Sequence, residues 1–205
     1  MFKNKKYIKF LQKSKALNSD IICVNILEDN EHGLKRSIQN MFINSNGETI
    51  GFDLNSEFKN FVVTHAKKVL QTKKGRLLKY NKDKYWASNS YVHCWIEPFY
   101  YEDDYGYMGE ALKKAIKGQD STLVRSIKFS GAHSFISSFD EQKISLSSNK
   151  NLFYEKINSP IKLLILGYTK GSMELVKASD LLGWQICLCD LKGSNFKEKC
   201  KKSIR

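Results

Sequence analysis

Residues Leu163 to Asp190 read LLILGYTKGSMELVKASDLLGWQICLCD. An apolar run from Ile161 to Leu166 ends in Gly167, a helical segment from about Ser172 to Leu182 ends at Gly183, and a second run, Gln185 to Leu188, ends at Asp190. Continuous apolar runs of this length suit strands buried on both faces, a parallel pair joined by a crossover helix. Strand, glycine turn, helix, strand and acid is the order in which a βαβ unit sets a phosphate at the helix N-terminus and a ribose on the acid. Asp190 lies 23 residues past Gly167, close to the spacing of about 20 such units show.

Gly167, Thr169, Gly171 and Asp190 are therefore the candidate nucleotide contacts. Gly167 supplies the first turn, but Thr169 stands where a glycine would let the backbone approach a pyrophosphate, and Arg205 follows one strand after the crossover. The expectation is an abbreviated Rossmann-like βαβ kept for packing, with no NAD bound. Two strands with one crossover do not make an independent sheet, so Leu163, Ile165, Ile186 and Leu188 should pack on the rest of the chain or on another subunit of a homo-oligomer.

Upstream, Asn158-Ser159-Pro160 marks the best boundary, dividing the chain into 1–158 and 159–205. The first part reads as a mixed α/β domain. Helices are expected at about Lys5 to Lys15, from a cap at Ser56 to a stop at Gly75, and from Met108 to Lys117 before Gly118. His65 falls on the apolar stripe of the second, as a hydrogen-bonded core histidine. Strands are expected at Asp20 to Leu27, at Asn40 to Ile50 as two strands joined through Ser45-Asn46-Gly47, and at Tyr91 to Tyr100. The pattern of Ile21 to Leu27 and Met41 to Glu48 recurs in Leu123 to Ile127 and Ser134 to Glu141, two related strand-hairpin units in one sheet. The fold class is α/β.

The formal net charge is +13. All but four of the 34 cations are lysines, however, whereas phosphate and base recognition favour the arginine fork, so nucleic acid is not the expected partner. No apolar run approaches the ~20 residues a membrane span needs, and the amino-terminal stretch lacks the apolar centre of a signal peptide, so a cytoplasmic protein is expected. Five cysteines without a C-x-x-C pair signal neither a disulfide framework nor a zinc site. Cys187 and Cys189 share a strand face and read as core, as does Cys94 beside His93.

The stretch from Leu163 to Asp190 looks like the Rossmann segment of the XdhC/CoxI family. Glu31 to Glu57, EHGLKRSIQNMFINSNGETIGFDLNSE, resembles that family's first-domain block and matches it at Arg36, Met41, Gly47 and Gly51. Tyr85 to Pro98, YWASNSYVHCWIEP, is similar to a later block and keeps Ile96, Glu97 and Pro98. The blocks fall in the family's order, so the resemblance covers most of the chain.

The resemblance implies a maturation factor for molybdenum hydroxylases such as xanthine dehydrogenase, one that binds molybdenum cofactor, assists its sulfuration and helps deliver it to the apoenzyme. Where the family carries cysteine, this sequence has Glu57 near the end of the first block and Ser88, followed by Asn89 and Ser90, in the later one. A carboxylate or hydroxyl does not replace a soft thiolate toward molybdenum. The expected function is accordingly a non-catalytic accessory or chaperone-like protein with degenerate cofactor motifs and a molybdenum-hydroxylase apoenzyme as partner. Ser88, Asn89 and Ser90 are its implied cofactor positions. Arg36, with Lys35, is the candidate anion contact. Two rivals are a nucleotide-dependent oxidoreductase using Gly167, Gly171 and Asp190, and a basic nucleic-acid module in which Tyr80, Tyr85 and Trp86 lie among Lys79, Lys82 and Lys84.

Overall fold

Strand β1 (Ile21–Asp29) organises the molecule because its period-2 alternation is apolar on both sides. Ile21 and Cys23 enter one buried cluster and Ile22, Val24 and Ile26 enter another. A strand of that kind needs cover on both faces. The computed structural model, which describes residues 1–29, 35–51, 56–81, 91–136 and 151–189 and only the backbone at 28, 29, 35, 36, 38, 56, 81 and 91, supplies it with helices. The first cluster joins Cys23 and Phe42 to Leu11 of α1 (Lys5–Ala16) and to Met108, Ala111 and Ala115 of α3 (Gly106–Lys117). The second joins Val24 and Met41 to Phe58, Val62, Ala66 and Val69 of α2 (Ser56–Thr72). The chain is thus an α/β protein, a sheet with helices on both faces.

The remaining strands are β2 (Lys35–Asn44), β3 (Thr49–Gly51), β4 (Arg76–Asn81), β5 (Tyr91–Phe99), β6 (Ser121–Ser126), β7 (His133–Ile136) and β8 (Leu152–Ile157). With β1 they form one sheet in the order β4-β5-β1-β2-β8-β6-β7, with β3 paired to β2. All pairs are antiparallel except β2 with β8, joined in parallel at Lys35↔Phe153 and Arg36↔Tyr154. The two expected units, β1 with β2–β3 and β6 with β7, do lie in this one sheet. Residues 137–141 of the second lie outside the described residues.

Two strands, β4 and β8, are missing from the sequence-based reading, because lysine and glutamate interrupt their apolar pattern. α2 also ends earlier than expected. Lys73, at φ 57°, takes the left-handed position after Thr72 and donates to the Val69 carbonyl at 3.0 Å, a job assigned to Gly75 from sequence. Gly75 instead packs flat on an indole, where a Cβ would lie 2.7 Å from Trp95 Cζ2. Ser56 is the first helical residue rather than the cap. His65 is half-buried edge-on to Phe61, and its Nδ1 has no hydrogen-bond partner among the described residues. Its ring packs on Phe61, and burial lowers its pKa.

After Pro160 comes a separate two-stranded parallel sheet, β9 (Lys162–Leu166) and β10 (Gln185–Cys189), bridged by α4 (Lys170–Leu181). The expected burial on both faces does not occur. Ile165 is buried, Leu163, Ile186 and Leu188 are half-buried, and Leu164 and Leu166 are 58% and 60% exposed. None joins the core clusters of the larger sheet. The unit is tethered through its ends: Lys5 N–H donates to the Gly183 carbonyl at 2.8 Å, and Lys5 Nζ meets Asp180 at 2.5 Å. No helix among the described residues is long and apolar enough to cross a membrane.

Candidate functional site

Alternation along four strands sends Asn25, Glu97, Arg125 and Glu155 to the same interior, and all are at most 3% exposed. Arg125 is the hub. Its Nη2 donates to Asn25 Oδ1 at 2.9 Å and to Glu155 Oε2 at 2.7 Å, its Nη1 lies 3.8 Å from Glu97 Oε2, and its guanidinium sits 4.4 Å above the Phe153 ring. Burial by itself would lower its pKa; Tyr107, Glu155, Cys23 and Glu97 outweigh that and hold it above the ordinary value. Glu97 accepts from Trp95 Nε1 at 2.9 Å, from the Gly131 amide at 2.8 Å, from Ser130 Oγ at 3.2 Å and from the Tyr107 hydroxyl. Glu155 also accepts from Asn25 at 3.1 Å and from Asn40. These carboxylates are fully engaged, and the network ties β5 to the β6–β7 turn.

A cleft of about 350 Å³ opens beside this network, lined by Phe2, Lys3, Tyr7, Ser37, Asn40, Gly51 and Glu155 among others. Its rim contains Gly51, where the backbone requires glycine. At Gly51, φ is 145° and a Cβ would lie 2.5 Å from the Asn40 carbonyl oxygen; Gly47, at φ 85°, makes the preceding β2–β3 turn.

The thiols of this part of the chain do not fit a molybdenum ligand. Burial pushes Cys23 up to about 12, opposed by Arg125, and pushes Cys94 up to about 12. Both remain protonated at neutral pH, and only a thiolate ligates. Cys94 lies in the core against α2, as the sequence suggested. Glu57 is on the exposed side of α2. Ser88, Asn89 and Ser90 lie outside the described residues, as does Asp190. The backbone of Arg36 pairs with Glu28 and Tyr154 in the sheet, and its side chain is not described. Among the described residues no three or more of His, Cys, Asp and Glu are grouped to hold a metal.

At the βαβ turn the sequence-expected residues are together but already occupied. Gly167 turns at φ 94° and its N–H donates to the Cys189 carbonyl at 2.7 Å. Thr169 caps α4: its Oγ1 accepts from the Ser172 amide at 3.1 Å while Ser172 Oγ accepts from the Thr169 amide at 2.7 Å. This reciprocal capping box uses helix-terminal donors that a phosphate would need. Thr169 is thus a cap, a role its position before the helix could have revealed. What sequence reasoning missed is Arg125. Its signal was its identity, arginine in a lysine-rich chain, at a position surrounded by strand residues.

For the nucleic-acid reading, Tyr80 is half-buried against Phe58 and Phe61, with ring centroids at 4.6 and 5.0 Å. It is not an open stacking platform. Tyr85, Trp86, Lys82 and Lys84 lie outside the described residues.

No family model and no curated protein matches this sequence. In fold, the chain is similar to a crystal structure from Bacillus halodurans described as a xanthine dehydrogenase, at 16% sequence identity and a TM-score of 0.65 over 88% of this chain. The chain spans 61% of that protein's length. At this identity the likeness is one of fold.

Proposed function

We propose that this chain is a non-catalytic accessory protein of the molybdenum-hydroxylase maturation type, serving an apoenzyme as a chaperone. The observation that carries the reading is the division between what the sequence keeps of the XdhC/CoxI pattern and what it lacks. Met41 and Ile96 are core, Pro98 is buried, Gly47 and Gly51 are backbone necessities, and Glu97 anchors the interior network. Every one of these builds the fold. Among the positions that differ are those near Glu57 and at Ser88, where the family has thiols. The fold likeness to the Bacillus halodurans protein supports the same reading.

An accessory protein that keeps its fold but not its thiolates should bind the client protein and not the cofactor. Immobilised chain is expected to retain a metal-free molybdenum-hydroxylase apoenzyme from the same cells, while the purified chain carries no stoichiometric pterin by fluorescence after oxidation. Ser88→Cys should raise cofactor affinity measurably. Failure to retain any such apoenzyme, or tight pterin binding by the unmodified chain, overturns the reading. NAD at millimolar concentration should leave Tm unchanged, whereas a ligand at 100 times its Kd would add about 2.7 kcal/mol. An upward shift that is lost in Asp190→Ala would put the oxidoreductase reading first.

A further inference from the structure

We propose that the α2–β4 and β6–β7 turns together form a docking tip for an anionic phospholipid surface, with Phe129 entering the interface and Lys73, Lys74, Arg76 and Lys128 meeting the headgroups. The two turns touch: the Gly75 amide donates to Ser130 Oγ at 3.2 Å, which sets Lys73, Lys74 and Arg76 beside the turn that carries Lys128 and Phe129. Phe129 is 63% exposed, and Lys128 Nζ stands 5.6 Å from the centre of its ring. The turn beneath it is stiff. Ser126 Oγ accepts from the Lys128 and Phe129 amides, both at 3.1 Å, and Glu97 accepts from Ser130 Oγ at 3.2 Å and from the Gly131 amide at 2.8 Å. The buried carboxylate network therefore fixes a turn that holds an aromatic ring in water, and little conformational entropy is left to lose when that ring is covered.

Charge decides what covers it. Elsewhere Lys5, Lys13, Lys15, Lys113, Lys114 and Lys177 each meet a carboxylate, whereas Lys73, Lys74, Arg76 and Lys128 are exposed and meet none among the described residues. Glu97, the carboxylate that the turn binds, is buried and fully bonded and offers no negative charge at the surface. The complement to this tip is therefore an anion. Three of the four cations are lysines, point charges suited to a diffuse anionic layer. A nucleic acid would favour arginine forks and a run of open rings, and Tyr80 on the neighbouring strand is covered by Phe58 and Phe61. A specific protein interface takes about 800 Å² from each partner around a packed apolar centre, of which one ring on a turn supplies little. A fluid lipid surface needs no matching shape, and an aromatic ring flanked by lysines suits the boundary between headgroups and acyl chains.

The test is sedimentation of the full-length chain with vesicles of phosphatidylcholine, alone or with about 30% phosphatidylserine, at about 0.15 M salt. The chain is expected to pellet with the anionic vesicles and to stay in solution with the neutral ones. Phe129→Ala should weaken binding about tenfold, through loss of a buried phenyl side chain, and Phe129→Trp should keep it. Lys74→Glu and Lys128→Glu should each weaken it about fivefold or more, while Lys170→Glu, the same change in charge at an exposed site on α4, should leave it within about twofold. All of these positions are exposed, so folding is not at stake. Equal binding to both kinds of vesicle, full binding by Phe129→Ala, or equal losses from Lys170→Glu and Lys74→Glu overturns the proposal. So does a chain that leaves both vesicles free, and its retention instead on a single-stranded oligonucleotide or on polyglutamate would put nucleic acid or an acidic protein in the place of the lipid.

Discussion

In the eight-stranded sheet, polar residues are buried and engaged: Asn25, Glu97, Arg125 and Glu155 are nearly inaccessible and linked to one another by hydrogen bonds and ion pairs. In the βαβ unit the reverse holds, and Leu164, Leu166, Leu175 and Leu181 face outward. The sheet has enough surrounding structure to surround a charge. Among the described residues the βαβ has too few elements to cover even its apolar side chains. The difference teaches that burial is a property of the number of layers around a strand, not of the strand's own composition.

The comparison breaks first at Arg125. Arg125→Ala leaves two carboxylates buried without their cation, a loss of about 3–5 kcal/mol in urea unfolding. Adding Glu97→Gln and Glu155→Gln to that variant should recover part of it. Unchanged stability would mean that the network is not what ties β5 to the β6–β7 turn.

Apolar truncation should discriminate the two regions next. Leu11→Ala, at a fully buried position in the larger core, is expected to cost about 2–5 kcal/mol. Leu164→Ala should stay within about 0.5 kcal/mol of the parent. Equal costs would show that the βαβ face is covered after all.

Within the βαβ, Thr169→Ala removes the capping box of α4 and should cost about 0.5–2 kcal/mol locally. Amide exchange is the measurement, with faster exchange expected in α4 and none in α2. The smallest effect belongs to the tether. Asp180 has its pKa lowered by its hydrogen bond to Lys5, so its folded value lies below its unfolded one. Its contribution is therefore present above the ordinary carboxylate range and is lost as pH falls through the folded value. Asp180→Asn should remove that pH dependence from exchange at α4 without affecting the larger sheet.

Much of the fold was legible where a local pattern carries its own explanation. α1 and α3, the Gly118 stop, the β2–β3 turn at Gly47 and the strand-helix-strand order after Pro160 follow from periodicity and turn chemistry. β4 and β8 were not legible, because Lys79 and Glu155 look like solvent-facing residues until a partner is known. Of the candidate site, Gly167 and Thr169 share one turn, but the engagement of Thr169 by Ser172 and of the Gly167 amide by the Cys189 carbonyl is a matter of three-dimensional geometry. The interior network was invisible, since its members lie on four strands separated by as many as 130 residues.

By itself, then, the sequence determined the α/β class, the four helices and the strand-helix-strand order after Pro160, because these depend on spacing within a single segment. Tertiary structure alone decided that Arg125 is an interior hub and that Leu164 and Leu166 of β9 stay exposed. Those outcomes depend on which distant segments arrive on the same face, and a charge or an apolar side chain takes its meaning from what surrounds it.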